Sequence, residues 1–162
     1  MNVINLSEQN SVLNQYIVEI RDQVIQKDSM RFRKNLQRIG EFFGIEISKT
    51  LKFNSIDVQT PLGIAHTSTY DNNIVIASVL RAGIPMHEGL LHIFDRAQNA
   101  FIASYRKYGK DNKFTIQVEY ASSPSIEGKT LILADTMHAT GSSRLLAYNK
   151  LCADGNPAHT HI

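Results

Sequence analysis

The chain has 162 residues, 43% of them apolar and 20% charged, with a formal net charge of +2. A chain of that length buries roughly 70% of its unfolded surface, so a packed core is available and global disorder is excluded. The charge excess is too slight to argue for nucleic acid or an acidic membrane. The single cysteine, Cys152, excludes a disulfide framework and any multi-cysteine zinc site and reads as a small buried filler in a helix. No run reaches the roughly 18 apolar residues of a membrane span. Met1-Asn2-Val3-Ile4-Asn5 has no basic region followed by an apolar one, so a cytoplasmic protein is expected.

The first third reads helical. Val12, Leu13, Tyr16, Ile17, Ile20 and Val24 recur at three and four residues, with Ser7 or Ser11 as cap. A second helix starts near Asp28 or Ser29, and its apolar face is Phe32, Leu36, Ile39, Phe43 and Ile47. Gly40 and Gly44, one turn apart, admit a close neighbour, and Arg31, Arg33, Lys34 and Arg38 form a solvated face. The pattern then changes. Ile56 and Val58 alternate with polar residues, Thr60-Pro61-Leu62-Gly63 is a turn, and Ile64 to Tyr70 returns as a second strand. Ile74 to Leu80 is almost wholly apolar, as a strand buried on both faces must be. Arg81-Ala82-Gly83-Ile84-Pro85 breaks it, and a helix of Met86 to Phe94 follows. Ala100 to Tyr105 reads as a second buried strand, Gly109 to Asn112 as a hairpin tip and Phe114 to Tyr120 as the return. Leu131 to Asp135 is a third buried strand, followed by a glycine-containing turn and a helix of about Ser142 to Ala153. This alternation is the grammar of an open parallel α/β sheet flanked by helices, with N-terminal helices and a β-hairpin arm. One domain over 1–162 is expected. His159-Thr160-His161-Ile162 looks like the beginning of another strand, so the sequence reads as lacking a C-terminal portion.

In an open parallel sheet, ligands bind beyond the carboxyl ends of the strands. Asp135 ends such a strand, and Thr136, Met137, His138, Ala139, Thr140, Gly141, Ser142 and Ser143 lead into a helix. The free N–H groups of that first turn, its hydroxyls and the helix dipole suit a phosphate, and Asp135 can accept hydrogen bonds from sugar hydroxyls. The same residues also suit an ordinary helix cap, and spacing does not choose between the two. Arg81 and Gly83 follow the first buried strand. Taken singly they read as a strand-to-helix turn with a surface arginine, although arginine can also hold a phosphate bidentately. Arg106 follows the next strand at the same edge. Three successive strand ends thus converge, which favours a polyphosphate site. Two other segments imitate known motifs. Gly44 to Thr50 lacks the glycine beside its lysine that a phosphate-binding loop needs. His87 and His92 are five residues apart, about 140° around a helix, so they do not form a zinc-protease pair. His159 and His161 can face one metal only from a strand, and no metal site is assigned to side chains.

At Leu80-Arg81-Ala82-Gly83 and Asp135-x-Met137-x-Ala139-Thr140-Gly141 the sequence resembles the uracil phosphoribosyltransferase family, a branch of the type I phosphoribosyltransferases. Phe32-Arg33, Ile39-Gly40, Thr60-Pro61-Leu62-Gly63, Tyr105-Arg106 and Val118-Glu119-Tyr120 extend the likeness over nearly the whole chain. The resemblance implies transfer of a ribosyl 5-phosphate from phosphoribosyl pyrophosphate (PRPP) to N1 of uracil, giving UMP and pyrophosphate in pyrimidine salvage. By position, Asp135 would hold the ribose hydroxyls, Thr136 to Ser143 the 5-phosphate, and Arg81 and Arg106 the diphosphate. Magnesium would ride mainly on the substrate's oxygens, and the hairpin arm, 107–120, would close as a flexible lid. A non-proline cis peptide is implied near Arg81-Ala82, and a homodimer or larger assembly is typical. Thr136, His138 and Ser142 depart from the family's proline, apolar residue and second glycine. The uracil-recognising residues are expected beyond Ile162. A non-catalytic PRPP sensor or RNA-binding regulator on the same fold is the alternative; no basic, aromatic-bearing face argues for it. A relative acting on hypoxanthine would need an acidic pair where Asp135-Thr136 stands.

Overall fold

A computed structural model describes residues 3–108, 114–136 and 142–162, with the side chains of 104–119, 142, 143 and 154 set aside. Its centre is a five-stranded sheet. The strands are β3 (Ile74–Leu80), β4 (Gln98–Tyr108), β5 (Phe114–Ser122), β6 (Thr130–Ala134) and β7 (His159–His161), in the order β5-β4-β3-β6-β7. Four strands run parallel, and β5 closes one edge antiparallel to β4. Before them, β1 (Phe53–Thr60) and β2 (Gly63–Tyr70) form a separate antiparallel ribbon. The expected α/β architecture is therefore present, with one antiparallel edge strand. The hairpin tip expected at Gly109 to Asn112 lies outside the described residues.

Every residue of β3 from Ile74 to Val79 is buried, because helices cover both faces. On one face Ile74, Ile76, Ile132 and Ala134 pack against Met86 and Leu90 of α3 (Ile84–Ile93) and against Phe94, which follows it, backed by Leu13 and Ile39. On the other, Val75, Ala77, Val79, Leu131 and Leu133 meet Ala147 and Leu151 of α4 (Ser142–Leu151) together with Ile126. Each fully buried aliphatic side chain contributes about 1.5–3 kcal/mol, so this double layer holds the strand ends in fixed register. Cys152 lies just past α4 in a 3-10 turn, partly rather than fully buried, against the second layer.

The N-terminal helices are α1 (Val12–Arg21) and α2 (Ser29–Ser48). Ser11 caps α1 by accepting from the Leu13 N–H, and Asp28 caps α2 by accepting from those of Met30 and Arg31. The apolar period predicts α1 as far as Val24, but the helix stops at Arg21 and Val24 is exposed. The cause is Asp22, whose carboxylate accepts from the N–H groups of Val24 and Ile25 at 2.8 Å and opens a 3-10 turn. Glu19 holds the two helices together. It accepts from buried Asn35 at 2.7 Å and from Arg31 at 3.3 Å, and the hydrogen bonds from Asn35 and Gln15 keep its carboxyl at about 2. Arg38 lies over the Tyr16 ring. The expected solvated basic face is thus partly engaged with α1. The α3 helix begins at Ile84, two residues before the expected start, because Pro85 fits a first turn, where its missing N–H interrupts no intrahelical bond.

The α2 and α3 helices cross with their backbones almost touching. A Cβ on Gly89 would land on the Gln37 carbonyl oxygen, and one on Gly40 would meet the Met86 carbonyl oxygen. The expected close neighbour of Gly40 and Gly44 is therefore α3, the helix that follows the Arg81 turn.

Candidate active site

Strand order decides where a ligand can sit. From β3 the chain crosses by way of α3 to β4 on one side, and from β6 by way of α4 to β7 on the other. The two helices lie on opposite faces. The gap between β3 and β6 is therefore a topological switch point, where a crevice opens beyond the carboxyl ends of adjacent parallel strands. Ser78 stands opposite Ala134 in the register. Leu80-Arg81 and Asp135-Thr136 thus leave the sheet side by side at one rim. Arg81 and Ala82 are exposed; Asp135 and Thr136 are half-buried. A Cβ on Gly83 would come within 3.1 Å of the Ala134 carbonyl oxygen, which shows how close the two turns are.

The peptide bond Leu80–Arg81 is cis, one bond ahead of the Arg81–Ala82 position named from the resemblance. The turn then closes on itself. The Gly83 N–H donates to the Val79 carbonyl at 3.0 Å and the Ile84 N–H to the Arg81 carbonyl at 3.3 Å, and Gly83 becomes the N-cap of α3 with no side-chain cap. Ile84 is thereby engaged and Pro85 carries no N–H, so the positive end of the α3 dipole, more than a row of free donors, lies next to the exposed Arg81.

Leu80 of β3 pairs with Ala103 of β4, so Arg106, three residues further along β4, belongs to the same rim. Its side chain is outside the described residues, as are those of Ser142 and Ser143, which open α4. Met137, His138, Ala139, Thr140 and Gly141 lie wholly outside them. Among the named residues, the structure brings together Arg81, Asp135 and Thr136, with the β4 backbone at Arg106 and the start of α4 at the same rim.

The spacing of His87 to His92 gives no sign of the role its side chain takes in the fold. His87, 3% exposed, faces Ser78 of β3 with its Nδ1 2.7 Å from the hydroxyl, and Asn99 of β4 with its Nε2 2.6 Å from the amide oxygen. A carbonyl oxygen only accepts, so Nε2 carries the proton, Nδ1 accepts, and Ser78 donates. Burial pushes the His87 imidazole below its usual range, against the opposing effects of Asn99 and Glu88. The unfolded chain then takes up a proton near pH 6.5 that the folded chain refuses. Stability should be full above that pH and decline as pH falls below it. His161, also lowered by burial, adds to the decline. His87→Asn should flatten part of this loss, read as the difference in denaturant midpoint between about pH 7.5 and about pH 5.5. His92 points elsewhere, to Glu41 at 2.7 Å. Among the described residues no three His, Cys, Asp or Glu side chains gather around one point.

The family model for uracil phosphoribosyltransferase matches residues 7–160. A curated uracil phosphoribosyltransferase of Porphyromonas gingivalis is 48% identical over 162 residues, 100% of this chain and 75% of the relative. One from Pyrococcus furiosus is 38% identical over 152 residues, 91% of this chain and 65% of the relative. Among solved structures, the AQ2163 protein from Aquifex aeolicus superposes with a TM-score of 0.82 at 22% identity, over 94% of this chain and 71% of that one. A hypoxanthine phosphoribosyltransferase from Staphylococcus aureus gives 0.53 at 15% identity, over 79% of this chain and 60% of that one. The last two show the fold. With a family match over almost its whole length and a relative near half identity, the chain belongs to the uracil phosphoribosyltransferase family of pentosyltransferase enzymes.

Proposed function

We propose that the chain catalyses the reaction for which its relatives are named, joining uracil to the ribosyl 5-phosphate of PRPP with release of pyrophosphate. The observation that carries the proposal is the rim at the switch point, where a guanidinium, the start of a helix and a half-buried carboxylate leave two adjacent parallel strands. Breaking the bond between C1 and the diphosphate leaves positive charge on the sugar and negative charge on the leaving group. Such a step needs little acid or base. It needs cations and N–H donors aimed at the departing oxygens, in a site that excludes water.

In this reading Arg81 and Arg106 hold the diphosphate, Asp135 accepts from the ribose hydroxyls, and the segment from Thr136 to Ser143 wraps the 5-phosphate at the start of α4. The arm formed by 107–120 closes over the substrate. Magnesium favours oxygen ligands, bound through one or two carboxylates together with substrate phosphates, and Asp135 is the rim carboxylate that fits this pattern. When bound it neutralises diphosphate charge. Uracil recognition is assigned to no residue from 1 to 162. One half-buried cysteine suits the reducing cytoplasm. The ribbon β1–β2 leaves Ile56 and Val58 uncovered on one face, Phe53 and Ile64 on the other and Leu62 at the turn, apolar side chains that a second copy of the chain could cover.

Conversion of radiolabelled uracil to UMP by the complete gene product, with PRPP and magnesium, tests the reaction. Asp135→Asn should weaken PRPP binding about tenfold or more in titration calorimetry, as expected for loss of a charge-assisted hydrogen bond. Unchanged affinity would remove Asp135 from the ribose.

A further inference from the structure

Ser78 and His87 sit in the layer between the sheet and α3, among apolar side chains except at Asn99. Ser78 is fully buried on the face of β3 that also carries Ile74 and Ile76, and the His87 ring lies 4.9 Å from that of Phe101. Neither side chain takes part in the transfer chemistry above. A leucine or phenylalanine would fill the same space, and the two hydrogen bonds of His87 do little more than offset the cost of burying it. What a satisfied buried polar network adds is a single arrangement of the elements it joins.

Those elements are the two stems of the Arg81 turn. The His87 main-chain N–H donates to the Gly83 carbonyl at 2.9 Å, and its side chain accepts from Ser78 at 2.7 Å. Ser78 lies three residues before Arg81 and Gly83 two after it, and a Cβ on Gly83 would sit 3.3 Å from the Ser78 Cβ. The main-chain bond to Gly83 survives any substitution but proline, so the imidazole's link to Ser78 is what ties the helix side of the turn to its strand side, and through Asn99 the ring also reaches the start of the neighbouring strand β4.

We propose that His87 is a positioning residue, which through Ser78 and Gly83 fixes the Arg81–Gly83 turn in the geometry that receives the diphosphate end of the substrate. The proposal rests on the reading that this turn holds the diphosphate. Its signature is selectivity between ligands, because the 5-phosphate is assigned to a different loop.

The test is titration calorimetry of the whole chain with magnesium and PRPP, and separately with ribose 5-phosphate, which carries no diphosphate. His87→Leu should weaken PRPP binding about tenfold and leave ribose 5-phosphate binding unchanged. His87→Asn, whose amide oxygen can take the place of Nδ1 as acceptor for Ser78, should recover most of the loss. Ser78→Ala severs the same link by removing one atom and serves where His87→Leu fails to fold. Equal weakening of both ligands, or of neither, overturns the proposal and leaves the functional reading intact. A wild-type chain that binds ribose 5-phosphate but not PRPP overturns both.

Discussion

Arg81→Ala should lower turnover of uracil to UMP about 10²–10³-fold, the range seen when one preorganised donor to developing negative charge is removed. Arg81 is exposed, follows the cis bond at Leu80, and stands just before the start of α3. An alanine there removes no buried area, so the melting temperature should hold. The kinetic pattern discriminates further. If the guanidinium gripped the diphosphate equally before and during departure, the loss would fall on KM alone. A group that meets growing charge as the bond breaks shows its loss in kcat. Arg81→Lys keeps the charge but not the planar fork, and should recover only part of the rate. Steady-state rates with saturating PRPP, alongside thermal melts, check both statements. Unchanged turnover would take Arg81 out of the site.

The parts of this protein that were legible in its sequence are those set by local chemistry. The almost wholly apolar run of β3 announced a strand covered on both faces, and Asp28 before an amphipathic period announced the start of α2. The rim followed from the strands, since a parallel sheet puts its ligand loops at one edge and Arg81 and Asp135 ended two of its strands. Boundaries failed where a side chain competed with the backbone. The Asp22 carboxylate ended α1 before its apolar period ran out, and Pro85 marked the first turn of α3 rather than a break before it. His87 was illegible for a different reason. Its five-residue spacing to His92 speaks only to a metal motif, and no spacing rule relates a helical histidine to Ser78 and Asn99, which only the folded sheet brings to its two nitrogens.

Gly89→Ala should destabilise the fold by about 3 kcal/mol or more, with the melting temperature falling by roughly 6–12 °C. The sign is the informative part. On an exposed helix face, glycine to alanine stabilises by about 1 kcal/mol, because alanine loses less backbone freedom on folding. At Gly89 the added methyl has no place to go. It would land on the Gln37 carbonyl oxygen, 2.9 Å from both the Gln37 carbonyl carbon and the Glu41 nitrogen. These are main-chain atoms in the middle of a 20-residue helix, so no side-chain rotation relieves the clash. Either α2 and α3 move apart, opening the layer where Met86, Leu90 and Ile39 meet, or α3 slides along its axis. Both displacements drag the Arg81 turn, which is continuous with the start of α3. The variant should therefore bind PRPP more weakly even at temperatures where it is fully folded. Denaturant midpoints and calorimetry on the same preparation separate the two effects. An alanine tolerated at wild-type stability would mean that the helices do not cross in contact at this glycine, and the placement of α3 against the sheet would have to be redrawn.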